Sequence, residues 1–440
     1  MPKHNVFCNV PWTNVHVYHD GSLGICCAES HKLYDENNDQ FNLKNMTLSD
    51  WYNQTPVTTF RKDMFGENPI SQCSTCAYRE GLGFLSRRQR ANYQTVIFTD
   101  KKHFDKSYQQ STGYKTFEAS RVTGETLHTP YEWHLDFGNE CNLACKMCRP
   151  TESSKIGAQY RQWKLIPADS NIFSNWSDND EAWKNLVRSF DETRNLIKLH
   201  IMGGEPLMSK RFMEFIDYII STGKHKDLEL GFVTNATLIT QAHIDKFKQF
   251  KTCNIEISLE AFDETNDYIR QGSDIKSLMK NVELLLYNRT DRLKLVMRSV
   301  PQSLNATTYL NYIKWCYDNQ VSVDSLALKN PAYLQVCILP KEIKERLVPK
   351  YTELLNFFTN IRTETFTTIV AGRNDAKIVQ ILEQEVNGML GLLTAPEPNN
   401  VEELRYELIS WLQRWDKVYN LNALDYYPEY TEFLKQYGYV

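Results

Sequence analysis

Cys141, Cys145 and Cys148 present three thiols as C-x3-C-x2-C, directly after the apolar run Trp133–Phe137, which reads as a strand. The thiolate is the form of cysteine that ligates metal. Three of them within eight residues can wrap one metal cluster, but they do not close a four-ligand site. An iron–sulfur cube held by three thiolates keeps one iron free of protein ligands, and that iron can bind a small molecule. Structural zinc is the other chemistry these thiols support. Zinc normally takes four protein donors, so a residue such as His134 would have to complete the site.

A second group of thiols lies near the N-terminus. The eleven cysteines occupy positions 8, 26, 27, 73, 76, 141, 145, 148, 253, 316 and 337, and eight of them precede residue 150. Val15 and Val17 alternate into the turn Asp20-Gly21-Ser22, and a second short run ends in Cys26-Cys27. Asp-Gly between alternating apolar residues is a hairpin signal. Cys73-Ser74-Thr75-Cys76 follows as a C-x2-C turn. Four thiols delivered from a hairpin and such a turn can saturate a second cluster, and they would equally make a four-cysteine zinc knuckle. Cys26 and Cys27 compete for one of the four places. Cys253, Cys316 and Cys337 stand alone in apolar surroundings and read as small core residues.

The rest of the chain must position these groups. The formal net charge is −4 and charged residues make up 24%, which carries no nucleic-acid or membrane-surface footprint. Lys3, His4 and Asn5 come early, and no apolar stretch is followed by a cleavage site or is long enough to span a bilayer, so the expectation is a cytoplasmic protein without membrane association. Thiols in that setting serve metal or redox chemistry rather than disulfides.

Residues 1–90 read as a small cysteine-rich α+β module, and residues 91–130 as a connector carrying Gln109-Gln110-Ser111-Thr112-Gly113. The basic run Arg87-Arg88-Gln89-Arg90 beside it reads as a solvated face. Over residues 131–340, strand-like runs alternate with helix-like segments. The runs are Trp133–Phe137, Leu196–Ile201, Leu228–Val233, Asn254–Leu259, Leu293–Val300 and Val323–Leu328. The spacing predicts helices at Thr151–Lys164, Asp180–Phe190, Lys210–Ser221, Thr240–Phe250, Asp263–Tyr287 and Thr307–Asn319. Such alternation predicts an α/β fold with a parallel sheet and right-handed crossovers, with reacting groups at the carboxyl ends of the strands. Residues 341–440 read as a helical extension in which Trp411 and Trp415 pack the core.

Polar motifs fall at those strand ends. Met202-Gly203-Gly204-Glu205-Pro206-Leu207 offers two glycines for close backbone approach to a ligand and a carboxylate for a cation. Thr234-Asn235-Ala236-Thr237 ends the third strand, and Glu256, Ser258 and Glu260 share one face of the fourth. Arg270, in Tyr268-Ile269-Arg270-Gln271-Gly272, suits a bidentate clamp on a carboxylate.

The triple cysteine together with Gly203-Gly204-Glu205-Pro206 resembles the radical S-adenosylmethionine (radical SAM) superfamily. The resemblance implies an open (β/α)6 partial TIM-type barrel over 131–340, with Cys141, Cys145 and Cys148 holding a [4Fe–4S] cluster whose open iron binds SAM. It implies SAM contacts from Met147, Gly203, Gly204, Glu205, Pro206, Asn235, Ser258, Glu260 and Arg270. Ala236 departs from the usual glycine. Glu256, Arg298 and Tyr333 are candidates for lining the substrate cavity.

Residues 1–90, with Gly21 and Cys26 in G-x4-C spacing and the later C-x2-C, resemble the twitch and SPASM auxiliary-cluster domains, and the whole arrangement looks like the twitch-domain radical SAM proteins of tailed-phage genomes. On that resemblance Cys8, Cys26, Cys73 and Cys76 hold a second [4Fe–4S] cluster. The implied function is reductive cleavage of SAM and hydrogen abstraction from a peptide or protein, served by an electron donor such as flavodoxin or ferredoxin. A small-molecule or nucleotide substrate, and a zinc scaffold without catalysis, are the alternatives.

Overall fold

A computed structural model describes residues 7–27, 32–66, 68, 70–94, 117–170, 175–367 and 375–440. Most of the expected connector (95–116) lies outside the described residues.

Among the described residues ten strands form: β1 (Asn14–Val17), β2 (Leu23–Gly24), β3 (Glu132–Asp136), β4 (Ala144–Cys145), β5 (Lys198–Met202), β6 (Glu229–Thr234), β7 (Thr252–Ser258), β8 (Arg270–Gln271), β9 (Leu293–Arg298) and β10 (Ser322–Val323). Eight of them make one sheet in the order β10-β9-β7-β6-β5-β3-β1-β2, with β4 and β8 as a separate two-stranded ladder. All pairings in the large sheet are parallel except β1 with β2.

Five of the six strands expected between residues 131 and 340 are present, and the sixth, expected over Val323–Leu328, is reduced to Ser322–Val323. β3, β5 and β6 are buried nearly throughout, as strands of a sheet covered on both faces are, while β7 alternates. In β7, Cys253, Ile255 and Ile257 are buried while Asn254, Glu256 and Ser258 are half-buried on the opposite face. Helices cover the sheet, several started by a side-chain cap. Ser209 accepts from Phe212 N at the head of Lys210–Thr222, and Asn179 from Ala182 N at the head of Asp180–Glu192.

Three expectations change. The N-terminal segment does not stand apart from the parallel sheet: its hairpin turns at Gly21 (φ 82°), and β1 pairs in parallel with β3, Val15 opposite Trp133. Its apolar residues Trp12, Val15 and Val17 join the common core. The expected helix 263–287 is two helices, Glu264–Ile269 and Ile275–Tyr287, separated by β8. Gly272 takes φ 97° there, and Asp274 starts the second helix by accepting from Lys276 N and Ser277 N. Helical periodicity runs through that break, so the sequence pattern conceals it. Finally, the arginines of Arg87–Gln94 turn inward. Arg88 is buried and donates to Glu80 Oε2 at 2.5 Å, and Arg90 pairs with Asp324 at 2.8 Å.

The C-terminal helices Lys341–Thr367, Asp375–Thr394 and Val401–Tyr419 pack back on the sheet domain. Buried tyrosines tie them down: Tyr268 donates to Asp416 Oδ1 at 2.9 Å, Tyr351 to Ala306 O and Tyr430 to Ser303 O, each at 2.8 Å. No described helix is long and apolar enough to cross a membrane.

Candidate functional site

The triple-cysteine loop leaves the carboxyl end of β3 and is laced to its neighbours by backbone contacts. Gly204 N donates to Gly138 O at 3.0 Å and Glu205 N to Glu140 O at 2.7 Å. A Cβ on Gly203 would collide with the Gly138 carbonyl, and one on Gly204 with the Glu140 carbonyl. The two glycines therefore let the loop after β5 lie directly against the cysteine loop. The loop then runs into the helix Ser154–Gln162, where Ser154 Oγ accepts from Cys141 N and Ser153 Oγ donates to Leu143 O.

Ladder pairing sets Cys145 opposite Arg270. Arg270 is buried and on no helix; its guanidinium reaches Cys145 Sγ at 3.6 Å and Glu260 Oε1 at 2.6 Å. Glu260 is fully buried. Its second oxygen accepts from Ser299 Oγ, Val300 N and Asn305 Nδ2, each at 2.9 Å. With both oxygens held by the protein, Glu260 braces Arg270.

Glu205 is buried too, accepting from Leu207 N at 3.1 Å, Thr234 Oγ1 at 2.8 Å and Asn235 N at 2.7 Å. Burial pushes its carboxyl up, against these hydrogen bonds. Asn235 continues the chain of contacts by donating to Asn142 Oδ1 at 2.8 Å, which joins the end of β6 to the cysteine loop. Ala236, in place of the usual glycine, adopts φ 56°, the left-handed conformation that glycine favours. Ser258 is half-buried at the end of β7, Met147 is partly buried against the core, and Pro206 is buried.

The three thiols are close enough to shift one another's ionisation. Burial is the main force pushing Cys141 up to about 11 and Cys148 well above the ordinary thiol range, and Cys145 adds to both. Beside them Lys146 Nζ is buried, donating to Tyr268 O and lying 3.6 Å from the Tyr268 ring centroid and 5.2 Å from that of Trp415.

Cys8, Cys26, Cys73 and Cys76 border one cavity, with Ile25, Phe60, Met64, Arg87 and Arg88 also on its wall. Burial pushes the Cys8 thiol up to about 12, with Cys76 and Cys73 contributing. Cys27 is absent from that wall and faces the Cys26 thiol, Arg87 and His134. Of the adjacent pair that the sequence left open, Cys26 is the one that borders the cavity. Among the described residues, no group of three or more His, Cys, Asp or Glu side chains is arranged to hold a single metal ion. The four thiols instead ring a space, and the chemistry of that donor set suits a cluster.

A row of polar residues joins Glu256, Arg298 and His134, named from the sequence, to His16 and His200, which were not. His16, His134 and His200 stand in register on neighbouring strands β1, β3 and β5. His16 Nε2 lies 3.0 Å from Asp136 Oδ2, Arg87 donates to His134 Nε2 at 2.8 Å, and His200 Nε2 lies 2.9 Å from Glu256 Oε1. Arg298 donates to Glu256 Oε2 at 2.6 Å and neighbours Asp324 at 3.6 Å. Burial, followed by Arg87, holds His134 well below the usual imidazole range. The available signal was a histidine between apolar neighbours in three strand-like runs: Val-His-Val, Trp-His-Leu and Leu-His-Ile. Of the suggested cavity residues, Glu256 and Arg298 belong to this network. Tyr333 does not; it is buried and stacks on Trp411 at 5.6 Å.

Comparison with known proteins matches the radical SAM superfamily model to residues 135–297, and the model of the iron–sulfur cluster-binding domain SPASM to residues 8–77. The chain carries a radical SAM domain and a SPASM domain. Their spans contain all eight thiols described above. Among curated proteins, PqqA peptide cyclase of Bradyrhizobium diazoefficiens is 23% identical over 247 residues, covering 54% of this chain and 59% of that protein. The chain thus matches less than two thirds of that relative's length.

Among solved structures, Streptococcus suis SuiB bound to precursor peptide SuiA has a TM-score of 0.37 at 15% identity, covering 69% of this chain and 64% of that one. Native anSMEcpe with bound AdoMet has a TM-score of 0.38 at 17% identity, covering 54% and 61%. The relatives of this chain found by sequence include a radical SAM family enzyme, PqqA peptide cyclase.

Proposed function

We propose that the protein is a radical SAM enzyme that modifies a peptide or protein, with one [4Fe–4S] cluster on Cys141, Cys145 and Cys148 and a second on Cys8, Cys26, Cys73 and Cys76. The observation that carries the reading is the three-thiol loop itself. It is joined to the carboxyl ends of β5, β6 and β7 by Gly204, Asn235 and Arg270, at the place where parallel α/β folds gather their reacting groups. SAM on the open iron would supply a 5′-deoxyadenosyl radical able to remove a hydrogen atom from substrate.

The chain's own residues prepare that place. Arg270, oriented by Glu260, sets positive charge beside the Cys145 thiol, where the charge stabilises thiolate. The Glu205 carboxylate is locked by three donors, which orients it for the amino group of a bound amino acid. The neighbouring polar row, His200, Glu256 and Arg298, favours a hydrogen-bonding part of a substrate over an apolar one. With four thiols on its wall, the second site has no place for a substrate on the metal, so accepting an electron is its role in this reading. The peptide substrate is supported by the relatives, a peptide cyclase among them.

Anaerobic reconstitution with iron and sulfide, followed by SAM and dithionite, tests the proposal. Release of 5′-deoxyadenosine is expected in wild type and lost in C141S. Zinc without iron and sulfide in anaerobically purified protein, or no 5′-deoxyadenosine from a fully loaded preparation, would overturn it.

A further inference from the structure

A contiguous set of aromatic rings runs from the cysteine loop to the surface. Lys146, between Cys145 and Met147, has its Nζ 5.2 Å from the Trp415 ring centroid. Trp415 lies 5.4 Å from Trp411, which in turn lies 5.6 Å from Tyr160 and 6.1 Å from Trp163. Tyr160 senses the charge of Cys148, and Tyr419 that of Cys145. Ring packing of this kind holds the helix Val401–Tyr419 to the helix Ser154–Gln162, but a core contact would end in burial. Trp163 and Trp411 are half-buried, and Leu165 (43%) and Val418 (47%) are exposed beside them in sequence or on the same helical stripe.

Cations frame this patch. The Arg414 guanidinium lies over both Trp163 (5.5 Å) and Trp411 (5.0 Å), and Lys164 and Lys417 are exposed next to it in sequence and one turn on. Glu407 is the carboxylate that acts on Tyr160 and Tyr333 there. In a chain of net charge −4, an apolar patch with a cationic edge directly outside the three-thiol loop fits a negatively charged macromolecule. Electron-transfer encounters use small interfaces of this kind, and edge charges set their association rates.

We propose that this face, Trp163 and Trp411 with Arg414, Lys164 and Lys417, is the docking site of an acidic one-electron donor protein, and that the packed rings of Trp411 and Trp415 are the medium through which the electron tunnels inward toward Cys145. One electron leaves the reduced donor and enters the cluster on the three thiols, leaving the donor oxidised. The inference rests on the reading above that a cluster sits there.

Reduced flavodoxin is the probe, with the reconstituted full-length protein and anaerobic stopped-flow absorbance as the assay. R414E/K417E is expected to lower the second-order rate of cluster reduction about tenfold at low ionic strength, with the gap closing as salt is added. Reduction by dithionite, a small ion that needs no docking face, should be unchanged. W411L is expected to slow transfer at saturating flavodoxin without weakening its binding. Calorimetric titration of flavodoxin into the same variants reads docking alone, whether or not the thiols carry iron, so failure of the cluster assignment and failure of the docking face give different results. Equal flavodoxin binding and reduction rates in wild type and R414E/K417E would overturn the proposal. So would a loss confined to peptide turnover, which would make the patch a substrate surface.

Discussion

Arg270 and Glu260 offer the sharpest test of how the cysteine loop is held. Replacing Arg270 by Met leaves a carboxylate of zero exposure without its 2.6 Å guanidinium partner. Breaking one side of a buried pair costs about 3–5 kcal/mol. Three other donors remain on the second Glu260 oxygen, so the low end, about 3 kcal/mol, is expected. E260Q strands the buried Arg270 charge and should cost a similar amount, while E260Q/R270M removes both charges together. If each single change costs about 3 kcal/mol and the double change about 3 to 4, the coupling is about 2 to 3 kcal/mol.

Urea unfolding of the four proteins without metal measures that cycle, and iron content after reconstitution reads the consequence for the loop, since Arg270 also touches Cys145 at 3.6 Å. R270K keeps the charge but not the two-pronged reach, so it should retain part of the stability and less of the iron. Additive single and double changes, with a coupling below about 0.5 kcal/mol, would refute the idea that Glu260 serves Arg270.

Three further outcomes follow from the geometry. C26S should lose the iron and sulfide of one cluster while C27S keeps them, because only Cys26 of the pair borders the thiol-ringed cavity; metal and sulfide analysis decides. G204A should destabilise by about 1–3 kcal/mol, since its Cβ meets the backbone carbonyl of Glu140, which is not free to yield; G81A, with nothing within 4 Å at the end of a helix, should be neutral or gain up to about 1 kcal/mol, and thermal unfolding compares them. Burial pushes Glu256 up, but His200 and Arg298 outweigh it and hold the carboxyl below its usual range. A depressed folded pKa gives stability that is complete above the unfolded value of about 4.3 and is lost as pH falls below it, so E256Q should flatten the acid limb of stability below about pH 4, read by urea unfolding at a series of pH values.

The sequence alone determined where the thiols fall along the chain and the order of the elements. Local spacing is enough to place three thiols on one loop, and period-two alternation marks strands wherever one face is buried, so Cys141, Cys145, Cys148 and the strands β3, β5, β6, β7 and β9 were legible without coordinates. Tertiary structure decided what no local pattern encodes. Choosing Cys26 over Cys27 depends on which of two adjacent side chains points at Cys8 and Cys76, fifty or so residues away in one direction. Arg270 left its expected helix because a turn through Gly272 lets it pair with a strand more than a hundred residues earlier. Arginines 87, 88 and 90, read as a solvated run, turned inward because partners were waiting there, the buried His134 and the half-buried Glu80 and Asp324. Charge in a sequence says that a group needs water or a counter-charge; only the fold says which of the two it finds.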